Sequence, residues 1–350
     1  MTDEFDEFDE LETAEAIRAA YHRLQRKHEE LKDGQGELVQ AVYEAAHDAF
    51  ISLGPLPPVP VPKVRTGRGK PEVALWHLTD WQGGKKTLSY NSNVMQARIL
   101  HYVDVAEQIT LEQRHPVNDG VILFGGDIIE GLFNFPQQPF QTDATLFAQF
   151  STAVMLMVQV VRRAAAIYRK LKIIGEWGNH GRIGNKRDAI PSADNFDRMI
   201  LWTAKMLLDM DPSLNRRVEW QLSEDGTQPV EIGNYRAVLL HGDEFGRSGS
   251  VARKTLVQKV VQWKSGAYKV NGVFWPFRDA YVGHYHTHGE EPLPDGDGAV
   301  YWTGSPESDN GYAHDGMATG STPSQRLHFI DPRRGWVAGQ RKIWLPVEPA

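Results

Sequence analysis

The 350-residue sequence contains no cysteine, so it can form neither disulfides nor thiolate zinc sites, which leaves hard oxygen and imidazole donors for any metal it binds. It also lacks a long uninterrupted apolar run. The most apolar stretch, Phe147 to Val161, is broken by Gln149, Ser151, Thr152 and Gln159 and is too short to span a bilayer. The first residues are acidic rather than basic-then-apolar, so no secretory pattern is visible, and cytoplasmic residence without membrane contact is the expectation. No Ser-His-Asp arrangement, P-loop or HExxH helix is present, and the glycines of GEWGNHG do not have dinucleotide-binding spacing.

What charge there is sits unevenly. Residues 1–50 hold 14 acidic and 5 basic residues, so the net −7 belongs to this arm and does not argue against a polyanionic substrate elsewhere. Residues 1–12 repeat an acidic-aromatic unit. Helical spacing from Thr13 to Lys32, punctuation at Asp33-Gly34 and Gly36, and a second helical stretch to Phe50 predict a helical hairpin. Residues 1–53 are thus expected to be an acidic helical arm, with homo-oligomerisation through residues 13–50 as its plainest role. The proline-rich segment GPLPPVPVPK and the basic residues Lys63, Arg65, Arg68 and Lys70 make residues 54–71 a stiff linker.

Beyond it, apolar runs and helical patterns alternate. Strands are predicted at Val73–Leu78, Val121–Phe124, Leu171–Ile174, Ala237–Leu240 and Asp279–Val282. Helices are predicted at Ser92–Gln113, Asp143–Lys170 (Met155, Met157 and Val161 as core), Ala193–Asp209 and Ser250–Lys264. Short strands follow from Val300 to Leu345. Alternation first and strands last indicate an α/β fold, whose ligands gather at the carboxyl ends of its strands.

Five motifs fall at such ends: LTDWQ with Asp80, GGDIIE with Asp127, GNHGR with Asn179 and His180, HGD with His241, and GHYH with His284 and His286. Each places Asp, Asn or His after a short apolar run, so five strands would deliver metal ligands to one edge. Gly125 and Gly126 would permit close approach of backbone and ions. In an extended GHYH segment the two imidazoles share a side. His288 shares that parity but lies past the motif and reads as a surface histidine.

Together and in this order, the motifs resemble the calcineurin-like metallophosphoesterase superfamily over about residues 72–345. The linker, long loops and strand-rich tail resemble its phage-encoded phosphoesterases and DNA-break-repair nucleases. The resemblance implies a two-sheet β-sandwich flanked by helices, residence in a host cytoplasm if phage-borne, and two divalent cations. Asp80 would hold the first metal together with His286; Asp127 would bridge both; Asn179, His241 and His284 would hold the second. Gln82 stands where the family usually has a histidine, and its neutral oxygen favours Mn2+, with Mg2+, Fe2+ or Zn2+ as alternatives. His180 would face the scissile phosphate as a proton donor. The acid that often follows it is replaced by Gly181, leaving Glu130 or Asp104 to orient the ring, while Arg182 could clamp phosphate.

The implied chemistry is phosphodiester hydrolysis by a hydroxide activated between two metals. Arg182, Lys186, Arg187 and Lys254, with Trp81, Phe133, Phe135 and Trp177 as stacking platforms, point to DNA as substrate and a nuclease as the function. The alternatives for these residues are solvated faces and core. The alternatives for the protein are a small-molecule phosphatase or cyclic-nucleotide phosphodiesterase, and a metal-binding interaction module that has lost turnover.

Overall fold

In the computed structural model the described residues are 44, 56–134, 138–184, 194–222, 226–245, 250–308 and 322–346. The chain divides into two compact units, Met1–Asp48 and Ala49–Ala350, and the sheets among the described residues belong to the second. The helical arm, Lys186, Arg187 and Phe135 fall outside the described residues.

Apolar alternation builds two sheets. The first has six strands, β1 (Glu72–Leu78), β2 (Val117–Gly125), β3 (Lys170–Glu176), β4 (Val218–Leu222), β12 (Ser324–Asp331) and β13 (Trp336–Trp344), in the order β13-β12-β1-β2-β3-β4. β1 to β4 run parallel, and β12 and β13 close the sheet in antiparallel fashion. The second has five: β5 (Gln228–Ile232), β6 (Tyr235–Leu240), β9 (Asp279–Val282), β10 (Gly289–Pro292) and β11 (Ala299–Trp302), ordered β10-β11-β9-β6-β5. Here β6, β9 and β11 are parallel. A separate hairpin pairs β7 (Lys269–Val270) with β8 (Val273–Phe274).

The period of two decides what lies between the sheets. Leu75, Val121, Leu123 and Ile174 from the first sheet meet Val230, Ala237, Leu239, Tyr281 and Tyr301 from the second in one buried cluster. Alternate residues face outward under helices. Trp76 packs edge-on against Tyr102 of α1 (Ser92–Glu112). Val238, Leu240, Val282 and Val300 lie with Leu256 and Val260 of α4 (Ser250–Gln262). α2 (Leu146–Ile167) and α3 (Phe196–Asp209) complete the helices, and Asn91, Thr145 and Asn195 cap α1, α2 and α3 through side-chain oxygens. This is the two-sheet sandwich flanked by helices that the sequence predicts.

Several local expectations change. By length and composition α2 is apolar enough to cross a membrane, more so than the stretch read from sequence. It is a core helix nonetheless, with Ala153, Val154, Met157, Val160 and Val161 fully buried, although Met155 faces out at 39% exposure. The proline-rich segment is no free spacer: Val59 is buried and donates to Ser213, Pro57 accepts from Arg162, and Arg65 bonds Asn118 and Val117. Those polar contacts fasten residues 57–65 along the domain and consume Arg65, one of the four cations read as a basic linker. β4, β5 and β10 are not among the predicted strands: β5 and β10 are short and contain Pro, whereas β4, VEWQL, does alternate and was overlooked.

Candidate metal centre

The loops after β1, β2, β3, β6 and β9 leave the carboxyl ends of parallel strands, and they carry all five motifs to one edge. Two groups of ligand-type side chains meet there, Asp80, Asp127 and His286 on one side and Asp127, His241 and His284 on the other. Asp127 belongs to both. His241 Nε2 lies 3.2 Å from Asp127 Oδ2 and 3.1 Å from Asn179 Oδ1, which brings Asn179 into the second group. His286 Nε2 lies 3.4 Å from Asp80 Oδ1. The amide of Gln82 sits 3.3 Å from Asp127 Oδ2 and 3.4 Å from His286 Nε2, within the first group, and its buried Oε1 has no hydrogen-bond partner. In this orientation the amide nitrogen faces the ligands and the oxygen is the orphan; carboxylates, imidazoles and an amide gathered without sulfur are a donor set that fits divalent cations.

Backbone geometry explains how neighbouring residues converge. Among the described residues six non-glycines have positive φ, and five of them are Asp80 (54°), Gln82 (51°), Asp127 (52°), His284 (63°) and His286 (51°). Such conformations cost roughly 1–3 kcal/mol each and concentrate at functional sites. They also correct the account of GHYH: β9 ends at Val282, and the histidines are not on an extended segment. Both rings reach the centre because each residue is left-handed, and they join different groups. Gly126 (φ 86°) is required for a further reason, since a Cβ there would stand 2.4 Å from the Gly178 nitrogen.

The surrounding polar groups fix the ligands. Asp80 accepts from the His284 N–H at 2.9 Å and from Thr79 Oγ1 at 2.9 Å, and Asp127 Oδ1 accepts from the His180 N–H at 2.8 Å. The Asp197 carboxylate, at the start of α3, accepts from Asp127, Ile128 and Gly178 N–H groups at 2.8, 3.0 and 2.9 Å, joining the loops after β2 and β3. His241 Nδ1 faces the Gly125 carbonyl at 2.8 Å. Nε2 is left facing the centre, where burial disfavours the imidazolium but the charge of Asp127 outweighs it and raises the pKa well above the ordinary value; a cation there would take the place of the Nε2 proton.

His180 is oriented by Glu130, whose Oε2 is 3.1 Å from Nδ1, while Nε2 is 3.9 Å from Asp127 Oδ2. Burial disfavours the imidazolium, yet the charges of Glu130 and Asp127 outweigh it and raise its pKa. Asp104, the other acid considered for this task, lies on α1 and pairs with Arg163 at 2.7 Å. For His286, burial is again outweighed, here by Asp80 and Glu307, and its pKa is pushed up to about 10. Burial and the neighbouring His241 push His284 down to about 4, which favours the neutral ligand form.

Sequence reasoning missed Glu307 and Lys85, both buried at the site. Glu307 Oε2 lies 2.9 Å from His286 Nδ1, and Lys85 Nζ lies 3.0 Å from Glu307 Oε1. Glu307 follows β11, which runs parallel to β9, so the end-of-strand rule that found the other motifs applied to it as well. Lys85, in a GGKK run, looks like a solvated lysine.

The residues assigned to substrate contact are less concentrated. Arg182 is half-buried and pairs with Asp243 at 2.7 Å. Lys254 is exposed on α4, where its neighbour Arg253 lies over the rings of Tyr285 and Trp302. Trp81 and Trp177 are not stacking platforms: Trp81 is fully buried edge-on to Phe124, and Trp177 is buried with Arg198 over its ring. Phe133 stacks on Phe196. His288 is not a free surface histidine but half-buried, with its pKa lowered to about 3 by burial and then by Arg326 and Lys342.

No family model matches the chain, and no curated protein does. Solved structures with a similar fold include Vps29 from Entamoeba histolytica complexed with Zn2+, 11% identical, covering 77% of this chain and 98% of that one, with a TM-score of 0.35. A conserved protein from Streptococcus pneumoniae TIGR4, described as a predicted phosphoesterase, is 11% identical over 78% and 98%, with a TM-score of 0.31. A hypothetical protein from Pyrococcus horikoshii OT3 is 12% identical over 78% and 89%, with a TM-score of 0.36. Superpositions at this level carry no argument about chemistry, which rests on the residues themselves.

Proposed function

We propose that this chain is a metal-dependent phosphoesterase. The observation that carries the reading is the position of Asp127, shared by two ligand groups, with the Nε2 of an oriented histidine 3.9 Å from its Oδ2. Asp80, Gln82, Asp127 and His286 would hold one divalent cation, and Asp127, Asn179, His241 and His284 a second. Two such cations supply Lewis-acid polarisation of a phosphoryl oxygen and a lowered pKa for the attacking water. Mn2+ suits a set of carboxylate, amide and imidazole donors without sulfur.

The chain's own contribution to the reaction is proton delivery and orientation. With Glu130 accepting at Nδ1, His180 has Nε2 directed at the centre and can release a proton from that atom to the departing alkoxide. Glu130 keeps the ring from turning and stabilises its charge while the proton is held. Asp127 fixes the same loop by accepting the His180 N–H.

The narrower reading, a nuclease acting on DNA, rests on Lys186, Arg187 and Lys254, of which Lys254 alone is described. The core positions of Trp81 and Trp177 and the Arg182–Asp243 pair give it no support, so the site favours the phosphoester class and no narrower substrate. Purified protein loaded with Mn2+ would be assayed on an aryl phosphodiester, an aryl phosphomonoester, cyclic nucleotides and DNA, beside Asp127→Ala. Metal-dependent turnover that disappears in the variant is the expected result. Two tightly bound equivalents of Mn2+ with no turnover on any of these would replace the proposal with a metal-binding interaction module.

A further inference from the structure

A line of alternating charges joins the two histidines that flank the centre. His180 Nδ1 is 3.1 Å from Glu130 Oε2, which is 3.7 Å from Lys85 Nζ. Lys85 Nζ is 3.0 Å from Glu307 Oε1, and Glu307 Oε2 is 2.9 Å from His286 Nδ1. Lys85, Glu130 and Glu307 are 8, 2 and 4% exposed. Buried this deeply, the two carboxylates have the Lys85 ammonium between them and little water to replace it, so its position fixes theirs. Lys85 is also fixed by its backbone: its N–H donates to the Gln82 carbonyl at 2.9 Å, in the turn that carries a candidate ligand.

We propose that Lys85 is a positioning residue that sets both imidazoles at once, holding Glu130 and Glu307 aimed so that His180 and His286 each face a carboxylate through Nδ1 and present Nε2 to the centre. The two rings have different tasks, proton donation and metal ligation. A lysine ion-paired with their supporting carboxylates couples those tasks across five loops. Its loss should disturb both, whereas the loss of either glutamate should disturb one. The leaving-group arm of this inference rests on the phosphoesterase reading; the metal and NMR arms do not.

The test compares Lys85→Met, Glu130→Gln and Glu307→Gln in the full chain. Three properties are measured: Mn2+ affinity by calorimetry, the Nδ1–H resonances of the two histidines by 15N-edited NMR of the metal-free protein, and the ratio of rates on good and poor aryl leaving groups. Glu307→Gln should weaken one of two Mn2+ equivalents by about 10- to 100-fold, the usual effect of losing a ligand's supporting carboxylate, and leave the rate ratio unchanged. Glu130→Gln should keep Mn2+ affinity and slow poor leaving groups more than good ones. Lys85→Met should do both and shift the Nδ1–H resonances of both rings. Wild-type Nδ1–H resonances in Lys85→Met, or a change confined to one histidine, would overturn the proposal.

Should Lys85→Met fail to fold, the Glu130→Gln/Glu307→Gln double variant carries the test. Coupling through Lys85 predicts that the two single effects are not independent, and effects that simply multiply would overturn it. If the wild type binds Mn2+ but turns over no ester, the phosphoesterase reading fails. The calorimetric and NMR results then decide the role of Lys85 by the same criteria.

Discussion

Gly178 precedes the candidate ligand Asn179, and the space it leaves is taken by Asp127. A Cβ built on Gly178 would lie 2.1 Å from Asp127 Oδ1 and 2.4 Å from the Asp127 nitrogen. Ordinary contact begins near 3.4 Å, so Gly178→Ala demands a displacement of about 1.3 Å between the two loops. Asp127 cannot yield without losing the His180 N–H at 2.8 Å and its place beside His241 and Gln82. Gly178 cannot yield without straining its own N–H bond to Asp197. A misplacement of about 1 Å in a catalytic group costs on the order of a hundredfold in rate, and overpacking a buried site costs about 1–3 kcal/mol. Gly178→Ala should therefore fold with a lowered Tm, retain less than two equivalents of Mn2+ after dialysis, and lose about a hundredfold in kcat/KM. Gly289→Ala is the control, because a Cβ there meets nothing within 4 Å. A Gly178→Ala protein with both equivalents bound and kcat/KM within about threefold of the wild type would refute the close approach of these loops as a requirement of the centre.

Three further outcomes are expected. His180→Asn should keep both Mn2+ equivalents while slowing turnover by about a hundredfold or more on a poor leaving group and much less on a good one; equal losses on both would exclude proton donation from Nε2. Gln82→His should tighten binding of one equivalent and extend tolerance to Zn2+ and Co2+, because imidazole is the stronger donor, and unchanged titration curves would remove Gln82 from the ligand set. Glu176, buried at the end of β3, has its pKa raised well above the ordinary range by burial, against opposing bonds from Trp177 and Gln228. Its favourable contribution is thus fully present below the unfolded value of about 4.3 and is lost as pH rises through the folded value. Glu176→Gln should flatten the fall in Tm across that interval, and parallel Tm curves for variant and wild type would contradict the assignment.

The ligand motifs were legible because each is local: an apolar run sets a strand, and the residue just past it must lie at the sheet edge. Asp80, Asp127, Asn179, His241 and the GHYH pair all obey that rule, and so does the alternation that gives the two sheets. Glu307 obeys it too, but its strand AVYW is only four residues long and sits in a stretch rich in Gly, Pro and Asp, where no strand end stands out. Lys85 and Asp197 were hidden for a different reason. Their roles exist only through partners supplied by other loops, Glu130 and Glu307 for the lysine and three backbone N–H groups for the aspartate, and no spacing in one chain segment encodes such a meeting. The aromatic residues near the motifs misled because an aromatic just past a strand is equally suited to cap the core, which is what Trp81 does against Phe124.

The left-handed residues show how the edge is turned into a centre. On an extended chain, side chains two residues apart share a face but lie some 6–7 Å apart along it, too far to close around one ion. Asp80 and Gln82 escape that spacing by adopting positive φ, which coils the segment, and His284 and His286 use the same conformation to send their rings to different groups. The cost falls on residues with a Cβ, and it is met by bonds between the coiled segments themselves. Asp80 N–H donates to the Gly126 carbonyl, Gln82 N–H to the Asp127 carbonyl, and His284 N–H to the Asp80 carboxylate, all at 2.9 Å. Each strained turn is thus held by the next one, so the loops after β1, β2 and β9 form a single unit rather than three independent ligand arms. A centre organised this way has its geometry set before any cation arrives, and its donors cannot spread apart one at a time.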